Sequence, residues 1–128
     1  MPEYLSAEWM ELAQELAQDL PETPGATVRV QQVITGGPEG DVRYYMVIEN
    51  GRTLEQRRGD DPHAEATLTT SYEDALKVAK GELDENAAFM QGRVKITGNM
   101  AKIISLLPLT AKPEYRAAQA RLREQTQF

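Results

Sequence analysis

At 128 residues, 41% of them hydrophobic and 27% charged, the chain is long enough for one domain with a core and short for two. A formal net charge of −6 argues against the basic face that a nucleic-acid partner needs. The absence of cysteine excludes disulfides, thiol catalysis and cysteine-ligated metals.

Met1-Pro2-Glu3-Tyr4-Leu5 has no basic region followed by an apolar core, so no secretory signal is expected. Gln125-Thr126-Gln127-Phe128 does not resemble a Ser-Lys-Leu address, and the expected location is cytoplasmic. Ser6 suits a helix N-cap, and Trp9, Leu12, Ala13, Leu16 and Leu20 recur at helical spacing. Pro21 and Pro24-Gly25 end that helix. Its polar face carries Glu8, Glu11, Glu15 and Asp19, whereas interfacial helices are rich in Lys and Arg. At most transient membrane contact is therefore expected.

Strands follow. Thr27 to Thr35 is rich in β-formers, with an alternation that slips between Val30 and Val33 and predicts a bulge. After the turn cluster Gly36-Gly37-Pro38-Glu39-Gly40, the residues Val42, Tyr44, Met46 and Ile48 alternate with polar neighbours and should face inward. Asn50-Gly51 is a strong hairpin signal. Arg52 to Arg58 returns as a polar strand whose arginines suit a solvated sheet edge. Gly59-Asp60-Asp61-Pro62 reads as a loop, and Ala64 to Thr70 as a fourth strand with Ala66 and Leu68 inward.

Thr70-Ser71-Tyr72-Glu73 fits a capping box with Thr70 as the cap, opening a helix that ends at Gly81. Asp84 caps the next turn, and Arg93-Val94-Lys95-Ile96-Thr97 alternates as a fifth strand. Asn99 caps an apolar helix, Met100 to Leu107, that Pro108 should end. This segment is about half the ~20 residues a bilayer span requires, so it is buried in protein or lines something apolar. A last helix from about Glu114 to Gln125 carries a thin stripe of Tyr115, Ala118 and Leu122, which can dock on its own domain or on a second copy as a homodimer. Its final residues are expected to fray.

The string Ala88-Phe89-Met90-Gln91-Gly92-Arg93-Val94-Lys95-Ile96-Thr97-Gly98-Asn99-Met100 resembles the signature of the sterol carrier protein type 2 family. Thr70-Ser71-Tyr72-Glu73-Asp74-Ala75 and Lys80-Gly81-Glu82-Leu83 fit the same family, as does the order of elements over residues 6–109. The resemblance implies an α+β fold in which a five-stranded, largely antiparallel sheet carries helices on one face, with an apolar cavity between them. It also implies a single lipid-binding domain over 1–128, with a core at about 6–109 and a C-terminal helix at about 113–125.

No catalytic set stands out. His63 lies in a polar loop beside Asp60 and Asp61, too few ligands for a metal, and Ser71 and Ser105 lack a nucleophile elbow. Gly36-Gly37 and Gly40 are not followed by the Lys-Ser pair of a phosphate loop. No enzymatic activity, metal or cofactor is expected. Phe89, Met90, Met100, Ile103, Ile104 and Leu107 can face Tyr44, Met46, Ile48, Val94 and Ile96 across the interior. Periodicity does not separate a pocket wall from a core here. The resemblance implies the pocket, with Phe89, Met90 and Gln91 beside it and Gln91 either bonding a ligand's head or capping the helix end. The expected function is non-catalytic binding of a lipid (fatty acid, acyl-coenzyme A, sterol or similar) for carriage or presentation. A non-binding interaction domain, and an accessory domain of a lipid-metabolising enzyme system, remain as alternatives.

Overall fold

Strand formers and tight turns build the sheet first. In the computed structural model, which describes residues 1–128, β1 (Val28–Gly37), β2 (Gly40–Glu49), β3 (Arg52–Arg58), β4 (Ala66–Ser71) and β5 (Val94–Gly98) form one sheet in the order β3-β2-β1-β4-β5. Asn50 and Gly51 both take positive φ, 48° and 86°, as a two-residue type I′ turn requires. Arginine-rich β3 is an edge strand. Three neighbouring pairs are antiparallel, and β1 and β4 run parallel with Val30 opposite Ala66. The sheet is thus mixed, largely antiparallel with one parallel pair at its centre.

Pairing of β1 with β2 runs without interruption from Val28 to Ile34, so the expected bulge between Val30 and Val33 is absent. The alternation is intact, and Gln32 is simply a polar residue in an inward position. The slip in the pattern is one of polarity and leaves the backbone undisturbed.

Since β4 lies beyond β1 from β3, residues 59–65 must cross β2 and β1. Gln31, which faces away from the helices, holds this crossing. Its Nε2 donates to the carbonyls of Tyr44 and Gly59, both at 3.0 Å, and its Oε1 accepts from the Asp61 N–H at 2.9 Å. Asp61 is buried, pairs with Arg29 Nε at 2.8 Å and accepts from the His63 N–H at 2.9 Å. Asp60 pairs with Arg43 at 2.6 Å, and the His63 side chain is exposed.

The helices cover the other face. In α1 (Ala7–Gln18) the Ser6 hydroxyl caps Trp9 N at 3.1 Å. In α2 (Tyr72–Ala79) the cap is Ser71, which accepts from Asp74 N at 3.2 Å, and not Thr70. Thr70 is buried with its side chain on the cavity wall, whereas Ser71, the next residue, is exposed and free to cap. Asp84 caps α3 (Glu85–Met90) and Asn99 caps α4 (Met100–Ile104). The run expected as one helix breaks at Ser105, whose hydroxyl bonds the Lys102 carbonyl. Pro108 falls in the first turn of α5 (Leu107–Thr110), where its missing N–H costs no hydrogen bond. It starts a helix where it was expected to end one.

In α6 (Pro113–Glu124), Ala118 and Leu122 are buried against the domain itself. The residues after α6 are held and do not fray. Gln127 N–H donates to the Pro2 carbonyl at 2.8 Å, Tyr4 N–H to the Gln127 carbonyl at 3.0 Å, and Trp9 Nε1 to Thr126 Oγ1 at 3.0 Å.

Gly98 joins β5 to α4 at φ +97°, where an added Cβ would lie 2.6 Å from the Glu65 carbonyl oxygen and 2.9 Å from Ala66 Cα. At Gly92, φ +73°, an added Cβ meets nothing within 4 Å. Gly98→Ala should cost roughly 3 kcal/mol or more, strain plus clash, and Gly92→Ala about 1–2 kcal/mol of strain alone. Equal losses in urea unfolding would contradict this.

A second prediction concerns acid. Hydrogen bonding from Arg29 holds the Asp61 carboxyl below its ordinary range, against the opposing effect of burial. A depressed carboxylate contributes stability that is full above the unfolded value, about 3.9, and is lost as pH falls through the folded one. The stability gap between wild type and Asp61→Asn should therefore be constant from neutral pH to about 5 and narrow steadily below about 4. A gap that stays constant or widens on acidification would show that the pair is not set by this proton.

Candidate functional site

The core is not continuous. Buried apolar residues fall into three clusters, around Trp9 and Met10, around Val28, Val30 and Ile103, and around Leu20 and Leu109. Between them lies a cavity of about 280 Å³, bounded by the sheet and all six helices and lined by 36 residues, 26 of them hydrophobic. Its origin is steric. Helix α2 offers the cavity only Ala75, Val78 and Ala79, and α3 sets just one large apolar side chain, Phe89, beside Ala88. Inward strand residues Met46, Leu68, Val94 and Ile96 are consequently only half-buried, whereas a close-packed interior would cover them.

Of the residues expected at a site, Tyr44, Met46, Ile48, Phe89, Ile96, Ile103, Ile104 and Leu107 line this cavity, together with Val94. Met90, Gln91 and Met100 do not. In six-residue α3 the positions facing inward are Glu85, Asn86, Ala88 and Phe89, and the helical turn carries Met90 out to 84% exposure. Gln91 is the C-cap of α3, its N–H donating to the Ala87 carbonyl at 2.9 Å and its Oε1 accepting from Arg93 Nε at 2.8 Å. Met100 opens α4 and is 44% exposed. Ile104 and Leu107 flank the break between α4 and α5 and keep 49% and 39% of their surface accessible while lining the cavity.

Polar groups also reach the wall. Tyr115 hydroxyl donates to Glu85 Oε2 at 2.8 Å, Asn86 and Thr110 pair at 3.3 Å, and Arg123 Nε donates to the Ala79 carbonyl at 3.2 Å. Glu85 stands on the cavity wall with part of its surface accessible. Burial pushes the Glu85 carboxyl up, opposed in part by the Tyr115 hydrogen bond. Burial likewise raises the phenols of Tyr4, Tyr44 and Tyr115, which stay protonated at neutral pH.

Glu85, Tyr115, Gln32 and Arg123 were not foreseen at the site, and Trp9, expected to pack in the core, does so while also reaching the wall. Gln32 had a signal, a polar residue in the inward phase of β1. Glu85 had none, since an acid in a helix's first turn is also what the helix dipole favours. Nowhere do three or more His, Asp or Glu side chains converge as metal ligands. No helix is long and apolar enough to cross a membrane.

Residues 11–110 match the profile of the SCP-2 sterol transfer family. Sterol carrier protein 2 of Oryctolagus cuniculus is 32% identical over 81 residues, which is 62% of this chain and 15% of that protein. The chain thus spans about 15% of the length of this relative. A crystal structure of sterol carrier protein 2 superposes with a TM-score of 0.69 at 12% identity, over 96% of this chain and 98% of that one. Palmitated sterol carrier protein 2-like 2 from Aedes aegypti, solved in solution, gives 0.62 at 16% identity over 82% and 89%. At such identities the solved structures speak for the fold, an α+β sheet-and-helix domain. The family profile covers most of the sequence, and the chain belongs to the SCP-2 sterol transfer family.

Proposed function

We propose that this chain binds a lipid non-covalently in the cavity between sheet and helices, for carriage or for presentation to another protein, and catalyses no reaction. The observation that carries this is the hollow itself, about 280 Å³ with a mainly apolar wall, near the lower end of the roughly 300–1,000 Å³ typical of ligand pockets. Family membership supports it.

Burying a twelve-carbon chain gains roughly 10 kcal/mol at about 0.8 kcal/mol per methylene. Association removes at least about 4 kcal/mol. Up to about 6 kcal/mol remains, a dissociation constant in the tens of micromolar. The wall carries no Ser, Cys, Lys or His, and its phenols are held protonated, which favours binding over turnover.

For a ligand to enter, some segment must move. The C-terminal residues are tied to Pro2, Tyr4 and Trp9, which makes the break at Ser105 and Leu106 the better route. Native mass spectrometry and lipid extraction of the purified protein test the reading. A bound lipid is expected, and Ile104→Lys should weaken binding at least tenfold with an unchanged circular dichroism spectrum. Amides of residues 103–111 should gain exchange protection on loading. A protein that takes up no fatty acid, acyl-coenzyme A or sterol would leave the interaction-domain alternative standing in its place.

A further inference from the structure

The cavity wall is apolar by composition but uneven in polarity. Three polar side chains meet on it from three elements: Tyr44 of β2, Glu85 of α3 and Tyr115 of α6. They are close enough for the Glu85 charge to raise both phenols, and for Tyr44 to act on Tyr115. The Tyr115 hydroxyl occupies Glu85 Oε2. Glu85 Oε1 and the Tyr44 hydroxyl make no hydrogen bond to protein, and Glu85 has no cation within ion-pair distance. Glu85 Oε1 is thus an open acceptor on a mainly apolar wall, where the few polar groups orient a ligand. What would match it is a donor.

Resting on the lipid-binding reading, we propose that Tyr44, Glu85 and Tyr115 form a head-group site for a lipid whose polar end donates hydrogen bonds, a hydroxyl or a protonated amine, and that a carboxylate head is disfavoured there. Such a head donates to Glu85 Oε1, and a hydroxyl can also accept from the Tyr44 phenol, so each open valence is used. A carboxylate would instead face a second acid, and two adjacent carboxyls do not both ionise. The acyl or ring portion then lies along Met46, Leu68 and Ile96. The other charged group on the wall, Arg123, stands roughly two turns further along α6, about 12 Å at ~1.5 Å per residue. Its Nε is engaged by the C-terminal end of α2.

The test compares probes of one chain length, dodecanol, dodecylamine, laurate and methyl laurate, by Trp9 fluorescence titration of wild type, Glu85→Gln, Tyr115→Phe and Arg123→Gln. Wild type should bind the alcohol, the amine or both at least tenfold more tightly than laurate and methyl laurate. Glu85→Gln should cut that preference below threefold. Loss confined to the amine would identify an ammonium head, and loss for the alcohol a hydroxyl. Tyr115→Phe, which frees Glu85 Oε2 and keeps the ring, should preserve the ranking. Laurate bound as tightly as the alcohol and amine, or a ranking indifferent to Glu85→Gln, would overturn the inference. Laurate binding abolished by Arg123→Gln would move the head to the far end of the cavity and overturn it equally. All probes bound alike would overturn the head-group site and leave lipid binding intact. Binding of none would overturn both.

Discussion

The Gln31 amide, wedged beneath the β3-to-β4 crossing, settles which face of the sheet is free to bind anything. Three hydrogen bonds from one buried side chain hold residues 59–61 against strands β1 and β2, and Arg29 adds a charge to the same anchor through Asp61. With the crossing on that face, every helix must lie on the other. The parallel pairing of β1 and β4 follows from the same route. A buried glutamine amide offers at most four hydrogen-bonding positions, and here three are taken by backbone that no strand could otherwise satisfy.

Six short helices then cover five strands, and they do so incompletely. A hollow of about 280 Å³ is volume that no side chain fills, and its lining atoms forgo the contacts of a close-packed interior. The hollow survives because its edges are stapled. Trp9 reaches Thr126, Tyr4 stacks edge-on to Trp9 with ring centroids 5.1 Å apart, and Lys102 bonds the Thr27 carbonyl and Glu65. A ligand that binds only the folded state adds stability by mass action, so occupancy and stability are one problem in this fold.

Much of this was legible in the sequence because it is local. Asn50-Gly51 fixed a turn through two positive φ angles, Asp84 and Asn99 capped the helices they precede, and the stretch through Gly98 carried the family resemblance. What was illegible depends on partners far away in the chain. Thr70 could not be known to turn its side chain to the interior, leaving the cap to Ser71. Gln32 mimicked a bulge because its inward destination is a cavity wall, where an amide is tolerated as it would not be in a packed core. Glu85 carried no signal, because the group it bonds, Tyr115, lies 30 residues away. Met90 and Gln91 belong to the motif that resembles the family, yet the pitch of a six-residue helix sends them outward. A motif match identifies a segment without assigning each side chain to a face.

The two ends of the cavity differ in how they are held, and this bears on which can open. On one side the tail after α6 is fastened by backbone to the segment before α1 and by Thr126 to Trp9, so moving it breaks several bonds at once. On the other side α4 is anchored at its start by Asn99 and Lys102, and α5 at its end by the Asn86–Thr110 pair. Between those anchors stand Ile104 and Leu107, whose apolar side chains touch both the cavity and the surface. Ser105 and Leu106 keep right-handed helical backbone angles, but the turn tightens there, with the Leu106 N–H donating to the Ile103 carbonyl and the Ser105 hydroxyl to the Lys102 carbonyl. Opening at this segment, as proposed, would leave both anchors in place and displace only the apolar side chains between them.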